Sequence, residues 1–388
     1  MTNPAISPPH ALYIHLPFCL RKCAYCDFFS VAGQGEFIGP YVEALAADLR
    51  HARAEVGLTE LRSVYLGGGT PTVLPPDRIA AILAAAAESF ALAPEAEITC
   101  ECNPGTVDLA TLGQLRAAGV NRISIGVQSF RDEELRFLGR IHSAHEARRA
   151  VLEAREAGFG NLSLDLIYCL PGQTADEWQE TLDRALALCP DHVSAYCLQI
   201  EPGTPLAERM AAGELTPMPD DDQATLYGQT REALEAGGLR QYEISNFARP
   251  GAECRHNLTY WRNEPYLGVG AGAWSFVGGE RRQQIADVAA YLAAWREGEP
   301  AWAYQERCAG AAAANETLMM ALRTREGLSL AAFAARHGID LATARAGELE
   351  RLVRLGFLSV GDGRLRPTPG GMAVVGEITT LLALAEKE

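Results

Sequence analysis

Six short apolar runs recur along the first half of the chain: LYIHL, SVYLGG, EITCE, RISIGV, NLSLDLIY and HVSAYCLQI. Between them lie amphipathic stretches such as YVEALAADLRHAR, DLATLGQLRAAG, EARRAVLEAREAG and EWQETLDRALAL, several ending near glycine as helices tend to. A strand that is followed each time by a helix must return parallel to its predecessor, so the repetition specifies an α/β fold with a parallel sheet and helices packed outside. Two architectures satisfy that pattern, a doubly wound sheet and a full or partial barrel. The polar residues favour the barrel. The glycines of GGGTPT follow the second run, Glu101 ends the third, Gln128 ends the fourth and Asp165 lies in the fifth. Functional groups gather in this way at the C-terminal rim of a barrel. Residues 1–245 are therefore expected to form a partial (β/α)6 TIM-like barrel.

The pattern changes after residue 245. Residues 246–308 are rich in Trp, Tyr and Gly, with HNLTYW and YLGVGAGAWSF, and are expected to form an accessory α+β region. Residues 309–388 read as helices, a small hairpin and a closing helix, a winged-helix-like domain. Such a domain often binds DNA, but the chain carries a formal charge of -15, which opposes general attraction to phosphates. No nucleic-acid partner is expected.

The 388 residues, 48% of them apolar, suffice for two or three domains with ample core. MTNPAISPPHALYIHLPF lacks the basic and apolar regions of a secretory signal, so a cytoplasmic location is expected. The most apolar span, Ile79 to Ala93, is interrupted by Glu88 and suits a packed helix better than a bilayer crossing, so no membrane insertion is expected. In a reducing compartment the ten cysteines are better read as buried thiols or metal ligands than as disulfides.

Three of those thiols stand in one loop. CLRKCAYC places Cys19, Cys23 and Cys26 directly after the first strand. Four thiolates would close a structural zinc site, and three-ligand zinc sites usually use His or carboxylate. The tight spacing suits a [4Fe-4S] cluster, and three thiolates leave one iron open to a chelating small molecule. Gly67, Gly68 and Gly69 would allow the backbone to approach a charged ligand closely.

CxxxCxxC after the first strand, GGGTPT after the second and a glutamate ending the third resemble the radical S-adenosylmethionine superfamily. The resemblance implies that Cys19, Cys23 and Cys26 hold the cluster and that adenosylmethionine takes the open iron. It also implies that Gly68 and Gly69 meet the methionine end and that Tyr13 lies over the cluster and adenosyl region. Glu101, Gln128, Arg140 and Asp165 match cofactor-binding positions of the coproporphyrinogen dehydrogenase-like branch. Glu101 and Asp165 can accept ribose hydrogens, and Arg140 can pair with a carboxylate. For Tyr13 a core aromatic is the alternative, and for Arg140 and Asp165 an internal ion pair.

YIHLPFCLRKCAYCDF, YLGGGTPT, ISIGVQSF and DLIYCLPGQT resemble two relatives across nearly the whole chain, oxygen-independent coproporphyrinogen oxidase and the HemW-type heme chaperones. The oxidases typically carry a further cysteine where this chain has Phe28, and a longer N-terminal extension. RHNLTYW resembles the HNxxYW motif of the chaperones, which implies His256 as a heme ligand. The resemblance thus implies heme and acceptor hemoproteins, respiratory ones foremost, as partners. The rival reading is an oxidase that decarboxylates propionates, and a weaker one is a radical enzyme that opens a tetrapyrrole. Whether the protein is an enzyme, and whether it is a monomer or a homodimer, stays open. His142 and His145 read as solvated loop residues, Cys189-Pro190 as a chance heme-regulatory pair, and the remaining cysteines as small buried residues.

Overall fold

The computed structural model describes residues 8–385. The six apolar runs form β1 (Ala11–Leu16), β2 (Glu60–Gly68), β3 (Ala91–Cys102), β4 (Arg122–Gln128), β5 (Asn161–Tyr168) and β6 (His192–Cys197). They pair in parallel in chain order. Each returns through a helix: α1 (Ile38–Val56), α2 (Pro76–Ser89), α3 (Leu109–Ala117), α4 (Ala144–Glu156) and α5 (Ala175–Leu186). The helix starts are chemically set. Asp108 accepts from the Thr111 N–H, and Ser143 and Thr174 open reciprocal capping boxes with Glu146 and Glu177.

Strand side chains alternate between two faces. Leu12, Ile14 and Leu16 of β1, Val64 and Leu66 of β2, Ile123, Ile125 and Val127 of β4 and Leu162, Leu164 and Leu166 of β5 pack into one core with the helices. The other face is polar, unlike the continuous apolar strands of most parallel sheets. Ser63, Tyr65, Glu101, Arg122, Ser124, Ser163, Asp165, His192 and Ser194 stand on it, and many bond across strands, as Ser163 Oγ does to His192 Nδ1 at 2.8 Å. This polar face is the inside of the half-barrel.

The sheet does not close. Beyond β6, α6 (Asp220–Ala236) leads to β7 (Arg240–Gln241) and β8 (Asn246–Ala248), and β8 runs antiparallel to β6. At the other edge β9 (Tyr266–Val269) pairs in parallel with β1, followed by β10 (Trp274–Val277), β11 (Glu280–Gln284) and β12 (Trp302–Arg307) in antiparallel order. One twelve-stranded open sheet results, so the strands of residues 246–308 extend the half-barrel at both edges. The fold is mixed α/β around a parallel sheet, as the strand-helix repetition implies.

Residues 310–382 build a second core around Leu318, Phe333, Leu349, Leu352 and Ile378. Its helices surround a three-stranded sheet of Leu328–Ser329, Arg364–Pro367 and Leu358–Gly361. Among the described residues no helix is long and apolar enough to cross a membrane.

Candidate functional site

At the C-terminal ends of the six strands lies a cavity of about 520 Å³. Every site residue expected from the sequence except His256 lines it. The pairing of Leu16 with Gly68 brings the glycine turn against the end of β1. Each glycine there is required. A Cβ on Gly67 would lie 3.0 Å from Glu101 Oε2, one on Gly68 would lie 2.4 Å from the His15 ring, and one on Gly69 would lie 2.7 Å from the Phe18 carbonyl oxygen. Gly68 also has a φ of 109°, in the left-handed region that other residues seldom adopt. His15, which sequence reading passed over, is the buttress of this turn. Its Nε2 donates to the Phe29 carbonyl at 2.9 Å, so its Nδ1 accepts from the Tyr13 hydroxyl at 3.0 Å. Burial holds the ring neutral by lowering its pKa to about 4.

Glu101 faces the turn. Its Oε1 accepts from Tyr65 O–H at 2.8 Å and its Oε2 from Gly68 N–H at 3.2 Å. Burial pushes its pKa up to about 7. Each oxygen keeps a lone pair for a further donor. On the opposite wall, Asp165 accepts from Ser124 Oγ at 3.1 and 3.2 Å, and burial raises its pKa too. Gln128 follows a register shift between Ile125 and Gln128, a bulge of the kind that re-aims side chains beside functional sites.

The three cysteines sit half-buried in one loop closed by the short pairing of Phe18–Cys19 with Val31–Ala32. The loop is pinned where Ala24 N–H donates to the Leu138 carbonyl at 3.1 Å and Leu206 N–H to the Ala24 carbonyl at 3.0 Å. A chain of bonds joins two of the thiols. Arg140 Nη1 donates to Cys23 Sγ at 3.3 Å and its Nη2 to Gly126 O at 2.7 Å and to Asn103 Oδ1. Asn103 Nδ2 then donates to Thr70 Oγ1 at 2.7 Å, and Thr70 Oγ1 contacts Cys19 Sγ at 3.7 Å. Arg140 and Asp165 therefore hold separate partners and form no ion pair.

His256 lies elsewhere. It belongs to α7 (Arg255–Trp261), beneath the cavity near the N-terminal ends of the strands, and is 1% exposed. Its Nδ1 bonds Ser63 Oγ at 3.0 Å and its Nε2 bonds the Tyr260 hydroxyl at 2.7 Å. Burial, with the Arg122 guanidinium adding to it, lowers its pKa to about 3. Both ring nitrogens are engaged, and the ring does not line the cavity. His142 also departs from expectation. It is buried and bonds the Val127 carbonyl at 3.1 Å through Nε2.

The residues fit the cofactor set that the sequence implies. Thiolates on a single zinc, each at about 2.3 Å, must converge within about 4 Å of one another. Among the described residues no three Cys, His or acidic side chains converge to hold one ion, whereas Cys19, Cys23 and Cys26 all border the cavity that a wider cluster would enter. The buried Arg140 Nε has no partner and is a free donor beside Cys23. Glu101 and Asp165 offer acceptors across the cavity from it.

Residues 13–185 match the radical SAM superfamily, and residues 310–374 match the HemN C-terminal domain. The heme chaperone HemW of Bacillus subtilis is 34% identical over 94% of this chain and 97% of its own length. The chain belongs to the HemW family. The HemW protein of Mycobacterium tuberculosis is 38% identical over 98% of this chain and 97% of its own, and that of Escherichia coli is 44% identical over 69% and 70%. Among solved structures, the coproporphyrinogen III oxidase HemN of E. coli, a radical SAM enzyme, superposes with a TM-score of 0.83 and 24% identity, covering 97% of this chain and 90% of that one. At that identity the likeness establishes the fold. For this HemW-family chain, membership in the superfamily implies a [4Fe-4S] cluster and adenosylmethionine.

Proposed function

We propose that the protein is a heme chaperone that receives heme at the mouth of this cavity and passes it to acceptor hemoproteins, respiratory ones among them, in the cytoplasm. Cys19, Cys23 and Cys26 would hold the [4Fe-4S] cluster. Tyr13, Gly68, Gly69, Glu101, Gln128, Arg140 and Asp165 would bind adenosylmethionine below the heme. Held by these residues, a reduced cluster would offer one-electron chemistry toward adenosylmethionine, which transfer of intact heme does not require.

The observation that carries the reading is the rim. Leu20, Phe28 and Ile141 are 57, 66 and 49% exposed and line the cavity, and Tyr196, on the inner face of β6, lines its wall. Large apolar side chains gathered around one opening mark a binding surface. Heme is a flat apolar disc with two carboxylates, and Arg21 and Lys22 stand beside the apolar rim as cations for them. Phe28 occupies the position at which the oxidases carry a further cysteine, so the feature that separates the two branches lies on the proposed docking surface.

An anaerobic heme titration of the cluster-loaded protein, followed by Soret absorbance and mass spectrometry of the recovered tetrapyrrole, tests the proposal. Saturable binding with heme recovered intact is the expected result. Absence of binding by protein with a full cluster would sink it and move the assignment to propionate decarboxylation.

A further inference from the structure

The HNLTYW helix is left without a role once His256 is seen to be enclosed, yet its contacts are specific. Glu97 caps it: Oε2 accepts from Arg255 N–H at 3.0 Å and Oε1 from His256 N–H at 3.1 Å. Ser63 ties the His256 ring to β2. Ser63 and Glu97 are directly paired on β2 and β3, the two strands whose far ends carry the glycine turn and Glu101. The His256 ring stacks on Tyr65 with centroids 5.1 Å apart and planes 29° apart, and lies 6.3 Å from the Tyr13 ring. Tyr65 in turn donates to Glu101, which accepts from Gly68. A continuous path of contacts therefore runs from α7 to the cofactor wall.

We propose that His256 is a positioning residue for adenosylmethionine: clamped by Ser63 and Tyr260, it fixes the Tyr65 ring so that the Tyr65 hydroxyl holds the Glu101 carboxylate toward the cofactor. The inference rests on the family's adenosylmethionine site. It gives the motif a function at the floor of the half-barrel in place of iron ligation. The far end of α7 is also anchored, because Arg336 Nη1 donates to the Asn263 carbonyl at 2.8 Å and Asn263 Nδ2 to Thr317 Oγ1 at 3.0 Å. The C-terminal unit thus braces the same helix.

The test is equilibrium binding of adenosylmethionine to anaerobically reconstituted wild type, His256→Ala, Tyr65→Phe and the double variant, with the EPR spectrum of the reduced cluster recorded with and without the cofactor. Removing a hydrogen bond to a carboxylate that binds ligand costs about tenfold or more in affinity. Both single variants are expected to lose about that much and to show a weaker cofactor-induced change in the spectrum. Because they act along one path, the double variant should lose no more than the worse single one. Wild-type affinity in folded His256→Ala overturns the proposal. If that variant does not fold, Tyr65→Phe decides, since it keeps the stacked ring and removes only the hydroxyl; unchanged affinity there overturns it equally. A parallel heme titration separates this inference from the chaperone reading. Loss of heme binding in His256→Ala with adenosylmethionine binding retained would refute positioning and make the ring a heme ligand, whereas wild type that binds no heme would defeat the chaperone reading alone.

Discussion

Truncation of the cavity rim should weaken heme binding without touching the cluster. Phe28 is 66% exposed, so roughly two-thirds of its side chain is available to be covered by a docked macrocycle. Full burial of a phenylalanine side chain is worth about 1.5–3 kcal/mol, and two-thirds of that is about 1–2 kcal/mol. Phe28→Ala should therefore weaken heme binding about 5- to 30-fold. Ile141 comes from a different segment and is 49% exposed, so Ile141→Ala should cost somewhat less. The assay is Soret titration under anaerobic conditions, with iron content measured on the same samples because Phe28 lies two residues from Cys26. Heme affinities within about twofold of wild type in both variants, at full iron content, would refute the docking surface.

Gly68→Ala must force a Cβ against the His15 ring in a left-handed backbone. The backbone costs about 1–2 kcal/mol, and the overpacking about 1–3 kcal/mol. A clear drop in thermal midpoint and loss of adenosylmethionine binding should follow, and an unchanged melting curve would contradict the geometry. Asp48 offers a pH test. This buried carboxyl accepts from Gly270 N–H at 3.0 Å and Tyr291 O–H at 2.8 Å, and burial pushes its pKa up to about 7. The folded state then holds a proton that the unfolded state has already released between about pH 4 and 7, so stability falls as pH rises through that window and is lost above it. Asp48→Asn keeps an acceptor for both donors, and a turn of the Gln284 amide, whose Nε2 donates to Asp48 at 3.4 Å, would bring its unpartnered Oε1 to the new amide donor. The variant should melt higher than wild type at pH 8 and lose the advantage at pH 5, measured by circular dichroism; a lower midpoint at pH 8 would refute the reading. Finally, Cys19→Ala, Cys23→Ala and Cys26→Ala should each fall from about four irons per chain to well under one, while Cys100→Ala, buried in the helix-side core, should keep them. Full iron content in the three loop variants would defeat the cluster assignment.

The parts of the fold that were legible in the sequence are those written in local periodicity. Six apolar runs separated by amphipathic helices became six parallel strands in chain order, and polar residues at the ends of those runs converged on one cavity. Three thiols within eight residues likewise declared themselves by spacing. What stayed hidden depends on long-range pairing. The strands that extend the sheet are two to six residues long, too short for a periodic signal, and β9 pairs Tyr266 with Ala11. Asn103 links Arg140 to Thr70 although the three come from different loops. His256 reads as a ligand from the resemblance of RHNLTYW to the HNxxYW motif, whereas its surroundings are set by Ser63 and Glu97, whose positions in sequence give no sign that they will meet it. His142 reads as solvated because it stands in a loop leading to a helix, and its acceptor is a carbonyl at the end of β4.

The most direct test of the central claim is anaerobic transfer. The cluster-loaded protein is charged with one equivalent of heme, separated from free heme, and mixed with an apo-hemoprotein of the respiratory type, with the Soret band of each followed after separation. The account predicts that heme leaves the donor, appears in the acceptor with its mass unchanged, and does so faster than the same heme presented without the donor. Retention of heme on the donor, or a tetrapyrrole whose propionates have become vinyl groups when coproporphyrinogen is supplied with adenosylmethionine, would contradict it.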